Sequence, residues 1–356
     1  MSIIMYGSNV KVYYDLTAKN KLKELLTKTN SVFILCDSHT EKYCLPFLYA
    51  QIPALQNAFI LIIPSGEKSK DWKIAMQLCE VLVEEYANRD ALLINVGGGV
   101  VCDLGGFVAS IFKRGISFIH IPTSLLAQVD AAIGGKTAIN LKGAKNQVGT
   151  FYMPKAVFVF NDLLITLPFR HCVAGFAEML KHGLIADENY WNELKKIKYN
   201  KKGIMNSTLI EKSINIKKSI VNVDFKENNE RKKLNFGHTI GHAFESYFMQ
   251  QKIPILHGEA IAWGILVEAH ISWQKGLLLK DELEEIQSVI QLVYKMLNFS
   301  SLDLNRLKTF FFMDKKRDNN LVNMTLLKKI GTAVSDQYCS DFELENALLY
   351  LKNLDS

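Results

Sequence analysis

Three stretches of this chain hold residues that can ligate a metal: Ala174-Gly175-Phe176-Ala177-Glu178, Asn235-Phe236-Gly237-His238-Thr239-Ile240-Gly241-His242, and Leu256-His257-Gly258-Glu259. Imidazole and carboxylate are the donors of a catalytic divalent cation, and three protein ligands leave a coordination position for substrate. His238 and His242 stand four apart, so on a helix both lie on one face and can chelate one ion. Glu178 and His182 have the same spacing, on a helix face shared with Lys181. An HxxxH pair alone is more often incidental than a site, so spacing leaves open which donors act together. His257 follows the Ile253-Pro254-Ile255-Leu256 loop and opens the next helical stretch, which allows a short connection to return it beside His238.

A second kind of chemistry is carried by glycine. Gly97-Gly98-Gly99-Val100-Val101-Cys102-Asp103-Leu104-Gly105-Gly106 follows an apolar run. Glycine lets a backbone approach a pyrophosphate, and the N-terminus of the helix that follows offers free N–H groups. The pattern is not GxGxxG, and by itself it fits a tight structural turn equally well. Asp37 ends one apolar run and can accept from a ribose hydroxyl, while Pro64-Ser65-Gly66-Glu67-Lys68-Ser69-Lys70 follows another. Polar or glycine-rich loops at three successive strand ends point to a nucleotide.

The elements that position these residues follow from periodicity. Val32-Phe33-Ile34-Leu35-Cys36, Ala58 to Ile63, Ala91 to Val96, Ile116 to Ile121 and Ala156 to Phe160 are short apolar runs bounded by Asp, Pro or Gly, with amphipathic stretches such as Trp72 to Tyr86 between them. This is the pattern of an α/β parallel sheet with helices on both faces, whose ligands bind at the carboxyl ends of the strands. After Leu167-Pro168 the periodicity turns helical, over 175–190, 206–222, 236–249, 258–275 and 280–297, with few strand signals. We therefore expect an α/β domain over 1–168 and an all-helical metal- and substrate-binding domain over 169–356.

Composition narrows the partners. With 49% hydrophobic and 22% charged residues in 356, the chain can bury two cores, and no run reaches the ~18 apolar residues of a membrane span. The first residues lack the basic region and long apolar core of a secretory leader. The six cysteines fall into no CxxC or framework spacing, which favours reduced thiols in a cytoplasmic compartment. A net charge of +6 suggests an anionic partner. Lys195 to Lys202 is lysine-rich but lacks interleaved aromatics, so we read it as a solvated helix end, and expect an anionic small molecule instead of a nucleic acid.

Further blocks make the pattern specific. In order, the chain reads PSGEKSK, GGGVVCDLGGFVAS, KRG, PTSLLAQVDAAIGGKTAIN, KNQVGTFY, TLPFR, AGFAEMLKHGLI, LNFGHTIGHAFE, LHGEAIAWG and MDKK. From about residue 30 to 332 it resembles the 3-dehydroquinate synthase family of sugar-phosphate cyclases. The resemblance implies a Rossmann-like N-terminal domain binding NAD, a helical domain carrying zinc or cobalt, a homodimer, and conversion of 3-deoxy-D-arabino-heptulosonate 7-phosphate to 3-dehydroquinate and phosphate in the shikimate pathway.

Carried over residue by residue, the resemblance makes Glu178, His238 and His257 the metal ligands and turns His242 toward substrate. It sets Lys136, Lys145, Asn146, Asn235, His242, Lys315 and the partner subunit's Arg114 around the phosphate, and Lys217 and Arg231 on the carboxylate. Asp130, Lys181 and Glu227 then lie near the ring hydroxyls and metal. To the cofactor it assigns Asp37, Ser65, Gly66, Glu67, Lys68, Ser69, Lys70, Gly98, Gly99, Val100, Val101, Cys102, Asp103, Thr123, Ser124 and Leu163, Leu164, Ile165 and Thr166, with Asp130, Lys136 and Lys145. The departures are local: a longer stretch between His242 and His257, Ser124 where a second threonine is frequent, and Arg317-Asp318-Asn319-Asn320 in place of an expected glycine. Polyol dehydrogenases of similar layout and other sugar-phosphate cyclases are the competing readings. Neutral substrates do not call for the Lys136, Lys145, Lys217 and Arg231 set, and a basic binding protein does not call for the ligand triad.

Overall fold

The computed structural model describes residues 10–142, 144–294, 302–311, 317–318 and 321–354. The chain divides into two compact units, Met1–Pro168 and Phe169–Ser356.

The first unit is built on a six-stranded parallel sheet of β1 (Val12–Tyr14), β2 (Val32–Asp37), β3 (Phe59–Ile63), β4 (Leu92–Gly97), β5 (Ser117–Pro122) and β8 (Val157–Val159), in the order β1-β8-β5-β4-β2-β3. The five apolar runs correspond to β2, β3, β4, β5 and β8. For β2, β4, β5 and β8 the near-continuous hydrophobicity has a simple cause: successive side chains point to opposite faces, and helices cover both; β3, at the sheet edge, leaves Phe59, Ile60 and Ile62 exposed. Phe33, Leu35 and Leu93 pack with α4 (Trp72–Glu84) and α5 (Gly99–Ile111). Ile34, Cys36, Leu92 and Ile94 face the other way, against α1 (Asp15–Leu26) and α3 (Leu45–Gln51), with α2 (Ser38–Tyr43) completing that side. The sheet order reverses between β2 and β4, since β3 lies outside β2 and later strands add beyond β4. Such a switch opens a crevice at the strands' carboxyl ends. An antiparallel hairpin, β6 (Lys136–Leu141) and β7 (Ala144–Phe151), packs on α5. Gly106 makes the approach possible, because a Cβ there would come within 2.6 Å of Thr137.

The second unit contains α6 (Phe169–Ala186), α7 (Glu188–Leu194), α8 (Lys201–Ile204), α9 (Ser207–Val223), α10 (His238–Gln250), α11 (His257–Gln274), α12 (Lys280–Val293), α13 (Leu304–Phe311) and α14 (Asp341–Asn353). Every residue of α11 over 260–272 is buried, so this helix, apolar nearly all round, forms the centre against which α6, α10, α12 and α14 pack. Two of the periodic stretches end differently from expectation. The helix expected over 175–190 breaks at Asp187, whose carboxylate accepts from the Tyr190 N–H and starts α7. The stretch 280–297 stops being helical at Val293, and 295–297 lie outside the described residues. The unit is mostly helical and not all-helical. It includes a three-stranded antiparallel sheet, β9 (Arg317–Asp318), β10 (Leu321–Lys329) and β11 (Thr332–Cys339), in the order β11-β10-β9. β10 packs on α11, where Ser272 Oγ accepts from the Leu327 N–H at 3.0 Å.

Candidate active site

Glycine brings the three helices that carry Glu178, His238 and His257 to backbone contact. A Cβ at Gly258, in the first turn of α11, would overlap the Ala174 carbonyl oxygen of α6, and one at Gly264 would overlap the Gly237 carbonyl at the start of α10. Gly237 itself holds a positive φ of 79°, which lets the chain turn sharply into α10. At the start of α11, Glu259 accepts from the Leu256 N–H, and the Arg170 guanidinium of α6 grips the same carboxylate through two bonds of 2.7 and 2.8 Å. That fork fixes where His257, the first residue of α11, begins.

The result is a convergence of three donors. Glu178, wholly buried in mid-α6, places Oε1 3.5 Å from His238 Nε2 and 3.8 Å from His257 Nε2. The donor atoms of all three residues lie within 4.8 Å of one another. Each histidine turns its Nε2 inward because its Nδ1–H is engaged elsewhere, in His238 by the Phe236 carbonyl at 3.1 Å and in His257 by Glu245 Oε2 at 3.2 Å. Neither oxygen of Glu178 accepts a hydrogen bond of normal geometry, although the buried Lys181 ammonium presses against Oε2. A buried carboxylate with unfilled acceptor capacity is costly unless a cation completes it. Burial holds the His238 imidazole well below its ordinary pKa, helped by Lys181, His242 and His257, so it is neutral and has the lone pair a metal needs. Two imidazoles and one carboxylate are a donor set for a divalent d-block ion. His182 points its Nδ1 to Ser213 Oγ of α9, 2.8 Å away. His242 is exposed, its ring centre 5.4 Å from that of His238, and it groups with Glu245 and His257 instead of Glu178.

The connection from α9 to α10 gathers the second unit's anion-binding candidates. Lys217 on α9 and Arg231 are both buried, and Arg231 donates through Nη1 to the Phe225 carbonyl at 2.6 Å. Asn235 Nδ2 donates to Glu227 Oε1 at 2.7 Å, with Glu227 in a left-handed conformation at φ 62°. Lys315 lies outside the described residues.

In the first unit, the residues assigned to the cofactor follow the carboxyl ends of β2, β3, β4, β5 and β8, which parallel pairing sets along one sheet edge. Gly98 caps α5 beside Ser124, and the free N–H groups of that helix open at Gly99, Val100 and Val101. Cys102, in the next turn, is buried, and the Thr123 N–H donates to the Gly97 carbonyl. Asp37 uses Oδ1 to cap α2, accepting from the His39 and Thr40 N–H groups at 2.9 Å. The loop after β3 turns at Gly66, φ 104°, and ends at Lys70, whose ammonium lies 2.6 Å from Asp103 and also bonds Asn146. Burial pushes the Asp103 carboxyl upward against the pull of Lys70. Asn140 ties the hairpin to the same loop through Glu67, at 2.8 Å. Lys136 and Lys145 are exposed on that hairpin, and Arg114 is exposed in the turn after α5 with φ 66°. Asp130 lies in a one-turn π-helix, Ala127–Ala131, and Leu163 and Leu164 are buried in the turn after β8, where Ile165 is exposed.

Comparison with known sequences decides the lineage. The pattern described as 3-dehydroquinate synthase N-terminal matches residues 60–174, and its C-terminal counterpart matches 175–317. The chain belongs to the 3-dehydroquinate synthase family. A 3-dehydroquinate synthase of Parabacteroides distasonis is 43% identical over 331 residues, covering 91% of this chain and 92% of that protein. The fold matches 2-epi-5-epi-valiolone synthase from Streptomyces hygroscopicus, solved with NAD+ and Zn2+, at a TM-score of 0.85, 24% identity and 97% of each chain. It also matches 2-deoxy-scyllo-inosose synthase, solved with carbaglucose-6-phosphate, NAD+ and Co2+, at a TM-score of 0.83, 24% identity and 95% of each chain.

Members of this family are phosphate-eliminating cyclases, and the chain is an enzyme of that class. Sequence reading did not single out Glu245, Glu268 or Arg170. Glu268 carried a usable signal, a lone acid within the apolar run of α11, since charge in a helix buried all round needs a partner. Among the described residues no helix is long and apolar enough to cross a membrane.

Proposed function

We propose that this chain is a 3-dehydroquinate synthase, converting 3-deoxy-D-arabino-heptulosonate 7-phosphate to 3-dehydroquinate and phosphate in the shikimate pathway. The observation that carries the reading is the pair of histidine Nε2 atoms facing the buried Glu178 carboxylate, in a chain of this family. Glu178, His238 and His257 would hold a zinc or cobalt ion, and the glycine turn at Gly98 and Gly99 with the start of α5 would hold the NAD pyrophosphate. When bound, NAD supplies a hydride acceptor that gives back what it takes, and the metal supplies Lewis acidity toward the substrate's hydroxyls.

The chain's own residues bind and orient. Arg231, its guanidinium already fixed by the Phe225 carbonyl, and Lys217 take the substrate carboxylate, where a rigid fork fits best. Lys136, Lys145 and Asn146 take the phosphate and stabilise it as it leaves. Lys181, held against Glu178, and Asp130 and Glu227 contact the ring hydroxyls. With NAD held there, temporary loss of a hydride from one carbinol would make the neighbouring C–H acidic, phosphate would be eliminated, the same hydride would be returned, and ring opening with aldol closure would form the carbocycle.

We further propose a homodimer in which the partner subunit's Arg114 reaches the phosphate. Cytoplasmic residence is supported by six cysteines with no disulfide among them.

The test is turnover with substoichiometric NAD+. Phosphate and dehydroquinate should form over many cycles with no accumulating NADH absorbance. Stoichiometric NADH with a released ketone overturns the reading in favour of a polyol dehydrogenase. Mixing inactive Arg114→Ala and Lys136→Ala chains should restore part of the activity in heterodimers; heterodimers that form without activity refute the shared site.

A further inference from the structure

The two histidines facing Glu178 are each the first residue of a helix, and each helix carries a carboxylate that reaches the other's start. Glu245 on α10 accepts from His257 Nδ1–H at the head of α11. Glu268 on α11, wholly buried, accepts from the Gly237 N–H at 2.6 Å and the Ile240 N–H at 3.2 Å, at the head of α10. Backbone N–H groups at a helix start have no partner within the helix, so Glu268 caps α10 from outside. It thereby fixes the Phe236-Gly237 backbone to which His238 donates its Nδ1–H. Both imidazoles are left with the Nε2 lone pair toward Glu178, in the tautomer a metal requires.

We propose that Glu245 and Glu268 are positioning residues for the metal-binding histidines, each acting on the helix opposite its own, so that α10 and α11 present the ligand set as one preassembled unit. The proposal rests on the reading of Glu178, His238 and His257 as ligands. Glu245 acts directly on the ring, and Glu268 acts through the helix start.

The experiment measures Co2+ affinity by chelator competition, the visible absorption of the cobalt-loaded protein, and the melting temperature of the metal-free protein. Glu245→Ala should bind Co2+ about 10- to 100-fold more weakly and alter the cobalt spectrum. Glu245→Gln, whose amide oxygen still accepts from Nδ1–H, should recover most of the affinity. Glu268→Gln should weaken binding by a smaller factor, because one neutral oxygen replaces a carboxylate shared by two N–H groups. A Glu245→Ala protein with wild-type cobalt affinity and spectrum overturns the proposal, as does a lowered metal-free melting temperature with unchanged affinity. His257→Ala separates the two levels: if it also keeps tight Co2+ binding, the ligand assignment itself fails, whereas loss there with full binding in Glu245→Ala removes only the positioning role.

Discussion

The two sites are made of different materials. In the first unit the candidate nucleotide site is backbone, a glycine turn and the open start of α5, and its side chains mostly pair with one another, as Lys70 does with Asp103. In the second unit the candidate metal site is side chain: two imidazoles, that of His238 held neutral by burial, around a carboxylate sealed in the helical core. A backbone site is sensitive to added bulk, because any residue but proline supplies an N–H, whereas only glycine leaves space. A side-chain site is sensitive to changed charge, because burial makes each donor's protonation state decisive.

The largest effect should come from breaking the charged site. Glu178→Gln removes a candidate ligand and leaves the buried Lys181 ammonium without its counter-charge. Metal content should vanish and phosphate release fall by at least ~10³-fold, several kcal/mol of lost Lewis-acid stabilisation, while NAD binding persists. Metal analysis with a turnover assay checks this, and a metal-free Glu178→Gln protein of normal activity refutes the site. Next in size is Arg231→Lys. A lysine cannot both hold the Phe225 carbonyl and fork a carboxylate, so KM should rise about ten- to a hundredfold, the worth of one or two charge-assisted bonds. Metal content should stay normal, and unchanged KM would remove Arg231 from substrate binding.

The backbone site answers to bulk. A Cβ at Gly105 would overlap the Asn95 side chain of β4, so Gly105→Ala should cost about 1–3 kcal/mol of stability and weaken NAD binding. Metal affinity should be unchanged; calorimetry and NAD titration report on the two properties separately.

The smallest effect is shared by both units. Burial drives His120 in the first unit down to about 3 and His270 in the second to about 4, from an ordinary 6.5. Both are neutral when folded but take a proton when unfolded, so their stabilising contribution is present above pH 6.5 and lost as pH falls toward 4. Each contributes a slope of about 1.4 kcal/mol per pH unit in that window. His270→Phe, which can keep the stack on Tyr350, should flatten the fall of the urea midpoint between pH 6.5 and 5; an unchanged slope would count against a neutral buried His270.

The same contrast explains what could be read from the chain. The strands β2, β4, β5 and β8 are legible because a parallel sheet covered on both faces leaves continuous apolar runs, and β3 is legible from its apolar run although Phe59, Ile60 and Ile62 are exposed. β1 is three residues long, too short to show a period, and β6, β7, β10 and β11 belong to small antiparallel sheets in which charged residues such as Lys136, Lys145 and Lys329 interrupt the pattern. The candidate ligand residues are visible as types, but spacing leaves open whether His238 acts with His242 or with Glu178 and His257. What separates them is rotation about α10: His238 turns toward the core and His242 toward solvent. Glu245 and Glu268 were illegible as partners because each acts on a residue 12 to 31 positions away, across a helix contact that no local period encodes.

The contact of Gly258 with the Ala174 carbonyl has a mechanical consequence. Where helices meet through side chains, a cage can swell by rotamer changes; where they meet backbone against backbone, the walls are stiff. If Glu178, His238 and His257 hold the metal, such a cage should discriminate ions by size. Zinc and cobalt, with short bonds to nitrogen, suit the spacing of three donors, whereas calcium asks for six to eight oxygens at longer range. Calcium should therefore neither load the protein nor compete with cobalt for it, and relaxing the helix contact, not exchanging a ligand, would be the route to a larger ion.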